Sequence, residues 1–462
     1  MTSKKLLYII LFLSLHTSFY AQEITGTWSG KLEIQSTELT IVFNIFKEQK
    51  NYSATMDSPN QGAKNIPVTA IDFKDSILNI SIVNIGIEFT GKLSSKDSII
   101  GTFKQAGLSL PLNLSKLEVN KRIKPQTPIP PFPYNVEELV FENTEDEILL
   151  SGTLTIPKGI DDFPIVVLIS GSGVQNRDSE IFGHRPFLVL SDYLSKNGIA
   201  VLRFDERGVG KSEGTFKTAT TFDFAKDVIS AVNYIKKRND INYNRIGLVG
   251  HSEGGLTASI VASKLKEIDF IVLLASPAIR GDKLILSQQR AIGKVLGLEK
   301  LEIEKKQEIN KKLFDLVVKI ENDEVLKNEI SKLLQEVLND EEVKLNETDK
   351  ENYVSNETEK LMSPWFRKFL TYEPKSTIKK LECNVLALSG SKDLQVLPKN
   401  IEILKKMIRP KKLLSTKIFP NLNHLFQECK TGLPNEYSEI NQTFSPVVMN
   451  FITNWIKTNI SD

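Results

Sequence analysis

A chain of 462 residues, 40% hydrophobic and 25% charged, has room for two or three domains, and its make-up is that of an ordinary soluble globular protein. Lysines and arginines total 59 against 57 aspartates and glutamates, a net charge of +2, which gives no electrostatic footprint for binding nucleic acid or a membrane surface. Two cysteines, Cys383 and Cys429, rule out a disulfide framework, and a bridge between them is not expected because they should sit near opposite ends of their elements.

At the N-terminus Lys4 and Lys5 precede an apolar run over 6–15, and Ala21 offers a cleavage point. Residues 1–21 therefore read as a secretory signal whose apolar run is too short to span a bilayer. No cysteine follows to carry a lipid anchor. The protein is expected to be exported, periplasmic or secreted, with no membrane span in its mature form.

Residues 23–118 are β-patterned. Short apolar-alternating runs at 25–32, 39–46, 77–83, 85–93, 99–103 and 108–114 are separated by Gly, Asn and Asp turns. This spacing predicts a small antiparallel barrel or sandwich. The stretch contains no histidine and no cysteine, so it is expected to serve as a structural or docking module. Residues 119–134 form a linker, made stiff by five prolines in the nine residues 125–133.

From 135 to 462 the pattern changes. A hairpin is expected from 137–141 and 148–156. Strands at 165–170, 199–204, 246–249, 270–275, 384–388 and 413–419 then alternate with helices at 187–194, 222–237 and 447–456. Such alternation predicts an α/β fold, a mostly parallel sheet with helices on both faces, whose site lies at the carboxyl ends of the strands. Between about 278 and 382 the alternation is interrupted by charged helical sequence with apolar faces at Ile309, Leu313, Leu316, Val317 and Ile320, and at Leu326, Ile330, Leu333, Leu334, Val337 and Leu338. A helical insertion at that point of the chain would cap the strand ends.

The chemistry centres on Gly250-His251-Ser252-Glu253-Gly254. A buried strand leads into it and a helical pattern leaves it. A serine flanked by glycines between strand and helix is a nucleophile elbow: the turn is too tight for side chains at 250 and 254, and it lifts the serine hydroxyl off the sheet. Of the four histidines, His16 lies in the signal. His251 adjoins the nucleophile and is expected to point away from it, and His184 precedes the elbow. Only His424 follows the last strand, where the base of this architecture belongs. The acid should follow a late strand and precede His424. Asp393, in the turn after 384–388, fills that place, with Asp282 as the fallback. The oxyanion needs two backbone N–H donors. Glu253 supplies one, and the loop Ser170-Gly171-Ser172-Gly173 supplies the other from Ser172, with Gly173 as the alternative.

Gly210-Lys211-Ser212 is not the end of a phosphate-binding loop, because Asp205 stands where its first glycine is required. Asp205, Glu206 and Arg207 are expected to form a structural polar cluster. No His/Cys spacing suggests a metal, and no cofactor is expected.

Residues 135–462 resemble the α/β-hydrolase superfamily, and more closely its bacterial serine esterases related to the serine aminopeptidase and cinnamoyl-esterase branches. The resemblance is carried by Ser170 to Asp178, Phe204 to Ser212, Gly250 to Gly254, Asp393, Asn423-His424 and Ser363-Pro364-Trp365-Phe366-Arg367. The family often has histidine where this chain has Ser170, which leaves the backbone donor intact. The resemblance implies that exported members can carry an N-terminal β domain and an enlarged cap. The expected activity is that of an exported serine carboxylesterase acting on small carboxylic esters through an acyl-enzyme. A serine aminopeptidase or acyl transferase on the same triad is the alternative, and a catalytically inactive cell-envelope binding protein is a further one. The sequence leaves the oligomeric state open.

Overall fold

In a computed structural model the described residues are 24–34, 37–48, 51–59, 63–105, 108–117, 124–340 and 347–458. The expected signal segment 1–21 lies outside them. The chain divides into two compact units, one drawn from the residues before Val119 and the other containing everything from Asn120 onward.

The first unit is all β. Its strands are β1 (Gly26–Ile34), β2 (Thr37–Glu48), β3 (Asn51–Ser58), β4 (Ala63–Pro67), β5 (Ala70–Lys74), β6 (Ile77–Ile82), β7 (Ile87–Ser95), β8 (Ser98–Gln105) and β9 (Leu108–Leu117). All pair antiparallel in the order β4-β3-β2-β1-β9-β8-β7-β6-β5. The edge strands β4 and β5 are consecutive in the chain, so two residues must cross from one edge to the other. Val68 N–H bonds to Ala54 O on β3, and Thr69 N–H to Ser81 O on β6. The sheet is therefore curled until its two edges come close without pairing, a half-barrel. Alternation fills it: Ile87, Phe89 and Leu93 of β7 are buried with Trp28, Phe43 and Ile99 in one core.

The second unit begins with the proline segment. Lys124 Nζ donates to Ser438 O and Ile440 O, and Gln126 Nε2 donates to Phe444 O. The described part of the expected linker is thus fastened to the second unit rather than spanning freely.

Strands β10 (Tyr134–Asn143) and β11 (Ile148–Pro157) form the hairpin. Then follow β12 (Phe163–Ile169), α1 (Pro186–Lys196), β13 (Ala200–Phe204), α2 (Thr221–Lys237), β14 (Tyr243–His251), α3 (Glu253–Ala262) and β15 (Phe270–Leu274). Six helices come next: α4 (Gly281–Val295), α5 (Lys300–Lys319), α6 (Asp323–Asp340), α7 (Glu347–Met362), α8 (Pro364–Thr371) and α9 (Lys375–Ile378). The chain ends with β16 (Asn384–Gly390), α10 (Lys399–Met407), β17 (Leu414–Phe419) and α11 (Pro446–Thr458). The eight strands run in the order β10-β11-β13-β12-β14-β15-β16-β17, and from β13 to β17 every pairing is parallel. This is the expected α/β-hydrolase sheet.

Both faces are covered, and the strand period divides the residues between them. Ile165, Val167 and Ile169 of β12 pack with Val228 and Ala231 of α2, Ile260 of α3 and Leu404 of α10. Val166 and Leu168 pack on the other face with Leu190 of α1 and Ile452 of α11. The cap has a core of its own, in which Leu313, Val317, Leu326, Ile330, Leu334 and Leu338 join Phe366 and Leu370 of α8.

Candidate active site

The turn from β14 to α3 holds Ser252 at φ 54° and ψ −120°, a conformation that a side chain makes costly and that persists only where the surroundings enforce it. The enforcement is visible. A Cβ on Gly250 would lie 2.1 Å from Gly254 O, and one on Gly254 would lie 2.2 Å from Ile169 O. Strand, turn and helix pack too closely for anything but hydrogen at these two positions. Ser252 N–H bonds to Leu274 O at 2.8 Å, which ties the turn to β15.

The loop after β12 reaches the same point. A Cβ on Gly171 would stand 3.1 Å from Ser252 Cβ, so Ser172 follows directly beside the nucleophile. The Glu253 N–H belongs to the first turn of α3, whose donors have no intrahelical acceptor and carry the positive end of the helix dipole. A buried glutamate and a buried aspartate flank this loop. Glu206 accepts from Ser170 Oγ at 2.6 Å and from Gln175 N–H at 3.0 Å, and burial pushes its carboxyl well above the usual range. Asp205 holds the loop's next stretch, accepting from the Arg177 backbone N–H and, at two points, from its guanidinium. Within the expected polar cluster at 205–207, Asp205 and Glu206 thus hold the loop after β12, a role that sequence reasoning did not assign to them, whereas Arg207 pairs with Asp146 and Asp227.

Asp393 and His424 lie on the loops after β16 and β17. His424 Nδ1 is 2.8 Å from Asp393 Oδ2. Asp393 Oδ1 accepts from Gln395 N–H at 2.9 Å and Val396 N–H at 2.8 Å. The carboxylate is only 1% exposed, so one oxygen is anchored by backbone and the other faces the imidazole. Asp282, the fallback acid, lies at the start of α4 and takes a two-point contact from Arg280, 2.8 Å and 2.6 Å. The structure brings Asp393 to His424 and leaves Asp282 with its arginine.

His184 is fully buried, with Nε2 on Tyr437 O and Nδ1 on Thr443 Oγ1, both at 2.9 Å; it is a structural histidine. His251 does not turn away from the site as its adjacency to Ser252 suggested. Its Nε2 lies 2.9 Å from His424 O, and its ring packs 4.7 Å from the His424 ring. Burial and the neighbouring imidazole push it down to about 3, so it stays neutral.

Ser252, His424, Ser172 and Glu253 all line one cavity of about 320 Å³. The cap contributes Leu284, Ile285 and Gln288 of α4 and Trp365 and Phe369 of α8, and the acid loop contributes Gln395 and Val396. Among the described residues the one carboxyl on its wall is Glu253, and no lysine or arginine lines it. Glu253 Oε1 accepts from Thr221 Oγ1 at 2.5 Å, and Trp365 Nε1 donates to both oxygens at 2.9 Å and 3.0 Å. Neither partner was assigned a role from sequence. Cys383 and Cys429 are both free. Among the described residues no cluster of His, Cys, Asp and Glu could hold a metal, and no helix is long and apolar enough to cross a membrane.

Residues 186–427 match the protein family described as serine aminopeptidase, S33. Esterase EstD of Thermotoga maritima is 29% identical over 282 residues, which cover 60% of this chain and 58% of that protein. The uncharacterized protein YfhR of Escherichia coli strain K12 is 32% identical over 125 residues, 27% of this chain and 41% of that one. The chain thus spans less than two thirds of the length of these curated relatives. Est1E from Butyrivibrio proteoclasticus, solved with ferulic acid bound, is 18% identical with a TM-score of 0.42, covering 70% of this chain and all of that one.

Proposed function

Because the chain belongs to the serine aminopeptidase S33 family of α/β hydrolases, we propose that it is a serine carboxylesterase acting on small carboxylic esters, with Ser252 as nucleophile, His424 as base and Asp393 as the acid that orients it. The observation that carries this reading is the 2.8 Å pairing of His424 Nδ1 with Asp393 Oδ2, on loops that open into the same cavity as a serine held at φ 54°.

The chemistry follows from the placement. Asp393 fixes the His424 tautomer with the proton on Nδ1, leaving Nε2 to accept the Ser252 proton. Ser252 Oγ bonds to the ester carbonyl carbon, and the carbonyl oxygen takes the negative charge under the N–H groups of Ser172 and Glu253. His424 then protonates the departing alkoxide as the ester C–O bond breaks. Water, deprotonated by His424, attacks the acyl-enzyme and releases the acid with Ser252 restored. An oxyanion donor of this kind contributes about 3–4 kcal/mol of transition-state stabilisation.

The cavity wall favours an ester over a peptide N-terminus. An aminopeptidase needs a carboxylate free to hold the substrate ammonium, and Glu253, the one carboxyl that lines the cavity among the described residues, is already engaged by Thr221 and Trp365. The test compares p-nitrophenyl butyrate with amino-acid nitroanilides, together with fluorophosphonate labelling of Ser252. Hydrolysis of the ester with Ser252 labelled is the expected result. Turnover of the anilides alone overturns the esterase reading in favour of a peptidase. An unlabelled Ser252 overturns the hydrolase assignment and favours an inactive binding protein. We further propose that the protein is exported, on the basis of residues 1–21; cell fractionation that leaves it in the cytoplasm refutes this.

A further inference from the structure

Glu253 has a side chain that the proposed reaction does not use. It is 3% exposed, next to the nucleophile, and among the described residues no cation pairs with it: its hydrogen-bond partners are the neutral donors Thr221 Oγ1 and Trp365 Nε1. The Ser172 side chain also favours its charged form. Burying an unpaired carboxyl is costly, and a residue needed only for packing would be apolar. The position of the group explains its presence. Its own backbone N–H is one proposed oxyanion donor, and Ser172 provides the other. Thr221 opens α2 in the body of the fold, whereas Trp365 belongs to α8 in the cap. The Trp365 ring is stacked on Phe369 at 5.1 Å, and Phe369 is packed with Leu256, Leu284 and Val396. The indole N–H is therefore presented by a fixed part of the cap.

We propose that Glu253 is a positioning residue that couples the cap to the oxyanion hole. With the cap seated, Trp365 holds the Glu253 carboxyl from above while Thr221 holds it from the body. The first turn of α3 and the Ser172 loop are thereby locked in the geometry that receives the oxyanion. With the Trp365 donor withdrawn, the carboxyl keeps only Thr221 and Ser172, and the first turn of α3 and the Ser172 loop lose their tie to the cap. The inference rests on the reading of Ser252 as a hydrolase nucleophile.

The experiment uses the full chain and the variants Trp365→Phe, Glu253→Met, Glu253→Gln and the double Glu253→Met/Trp365→Phe. It reads the fluorophosphonate labelling rate of Ser252, with kcat and KM on p-nitrophenyl butyrate. Trp365→Phe keeps an aromatic ring against Phe369 and loses the N–H together with the volume of the second ring. It is expected to slow labelling and lower kcat about tenfold, the effect of one hydrogen bond to a charged group, with KM within about twofold. Glu253→Met falls at least as far, and Glu253→Gln, which keeps one acceptor, lies between it and wild type. The double variant should be no slower than Glu253→Met, because the two residues act through one contact. If the Trp365→Phe loss multiplies fully onto Glu253→Met, or if it appears in KM with kcat and labelling unchanged, Trp365 is merely part of the substrate wall and the inference fails while the hydrolase reading stands. Should Glu253→Met not fold, the kcat, KM and labelling rate of Trp365→Phe decide by the same criteria. A wild-type Ser252 that resists the probe overturns the hydrolase reading and this inference with it.

Discussion

His251 Nε2 lies 2.9 Å from the main-chain oxygen of His424, and the two rings are 4.7 Å apart. Facing a carbonyl, Nε2 must carry the proton and donate. Because burial holds His251 down to about 3, it places no charge beside His424 at any working pH. Its role is to hold the loop that carries the base. His251→Phe keeps the ring and loses the donor, so kcat should fall about fivefold, in line with one neutral hydrogen bond. The acid limb of the kcat/KM–pH profile should stay where it is. A limb that moves in this variant would show that His251 acts electrostatically.

The backbone at Ser252 makes activity and stability oppose each other. Ser252→Ala removes the hydroxyl and keeps the Cβ, so kcat should fall by roughly 10⁴–10⁶ with the melting temperature nearly unchanged. Ser252→Gly removes the Cβ as well. Relief of strain worth about 1–3 kcal/mol outweighs the extra freedom of an unfolded glycine, about 0.5–1 kcal/mol. This variant should therefore be inactive and about 1 kcal/mol more stable than the alanine one. Urea unfolding of the two proteins side by side provides the check, and a less stable glycine variant would mean that the turn is not strained.

Asp393→Asn preserves the shape of the acid loop and offers His424 the wrong tautomer, which should cost on the order of 10⁴ in kcat. Asp282→Asn should stay within about threefold of wild type, because Asp282 is bound to Arg280 on the cap helix and a contact at such a site does not reach the transition state. Ester-hydrolysis rates of the two variants decide between the acids. A dead Asp282→Asn beside an active Asp393→Asn would move the acid to the earlier strand.

The strands around the site were legible because a parallel sheet buried on both faces leaves uninterrupted apolar runs such as 165–169 and 270–274, which have no other reading. The candidate nucleophile was legible from its glycines, and the candidate base from the scarcity of histidine. The strands at Asn51–Ser58, Ala63–Pro67 and Ala70–Lys74 were not anticipated. Their runs are short and mostly polar, and in the last of them no residue is fully buried, exposed positions alternating with the half-buried Ile71 and Phe73. Helix α10 was also missed, since only Ile401 and Leu404 among its apolar residues are buried. The side chains of Glu253, Trp365 and His251 took no role from the sequence for a different reason, and Glu206 took only a structural one. Each acts through a neighbour separated from it in the chain, from 31 residues between Gln175 and Glu206 to 173 between His251 and His424, and no local pattern records such a pairing. A carboxylate directly after a nucleophilic serine, in a helix with no polar face, was the available signal: it must be buried, and so must have partners.

The cap's own core makes it separable. Leu313, Val317, Leu326, Ile330, Leu334 and Leu338 bury one another, whereas the contact with the body runs through Leu284 and Phe369 with Leu256 and Val396, the Trp365–Glu253 hydrogen bonds and the Tyr372 ring on Phe222. Replacing residues 288–349 with a short linker should therefore leave a soluble hydrolase core. The wall formed by Gln288 would be lost and acyl chains longer than butyrate admitted. The ratio of p-nitrophenyl octanoate to butyrate kcat/KM should rise about tenfold, the effect of a few methylenes regaining space. An insoluble product would show instead that the cap completes the core.

Acid stability should carry the mark of His184. Its Nε2 donates to Tyr437 O, so its Nδ1 accepts from Thr443 Oγ1, an arrangement that protonation breaks. Burial pushes it down to about 4 from its ordinary 6.5. Between those values the unfolded chain binds a proton that the folded chain refuses, so the contribution is complete above about 6.5 and is lost as pH falls toward about 4. The buried carboxyls of Glu206, Glu253 and Asp227 are raised by burial. They work in the opposite sense: the folded state holds their protons longer, and their contribution declines as pH rises. The total curve therefore mixes both signs, and the difference between wild type and His184→Gln isolates one of them. Glutamine keeps a donor and an acceptor but cannot titrate. The variant should be less stable at neutral pH, and the gap should narrow steadily as pH is lowered to about 4. Urea unfolding midpoints measured across that range show the effect, and a gap that stays constant would mean that His184 takes up its proton as readily in the folded protein as in the unfolded chain.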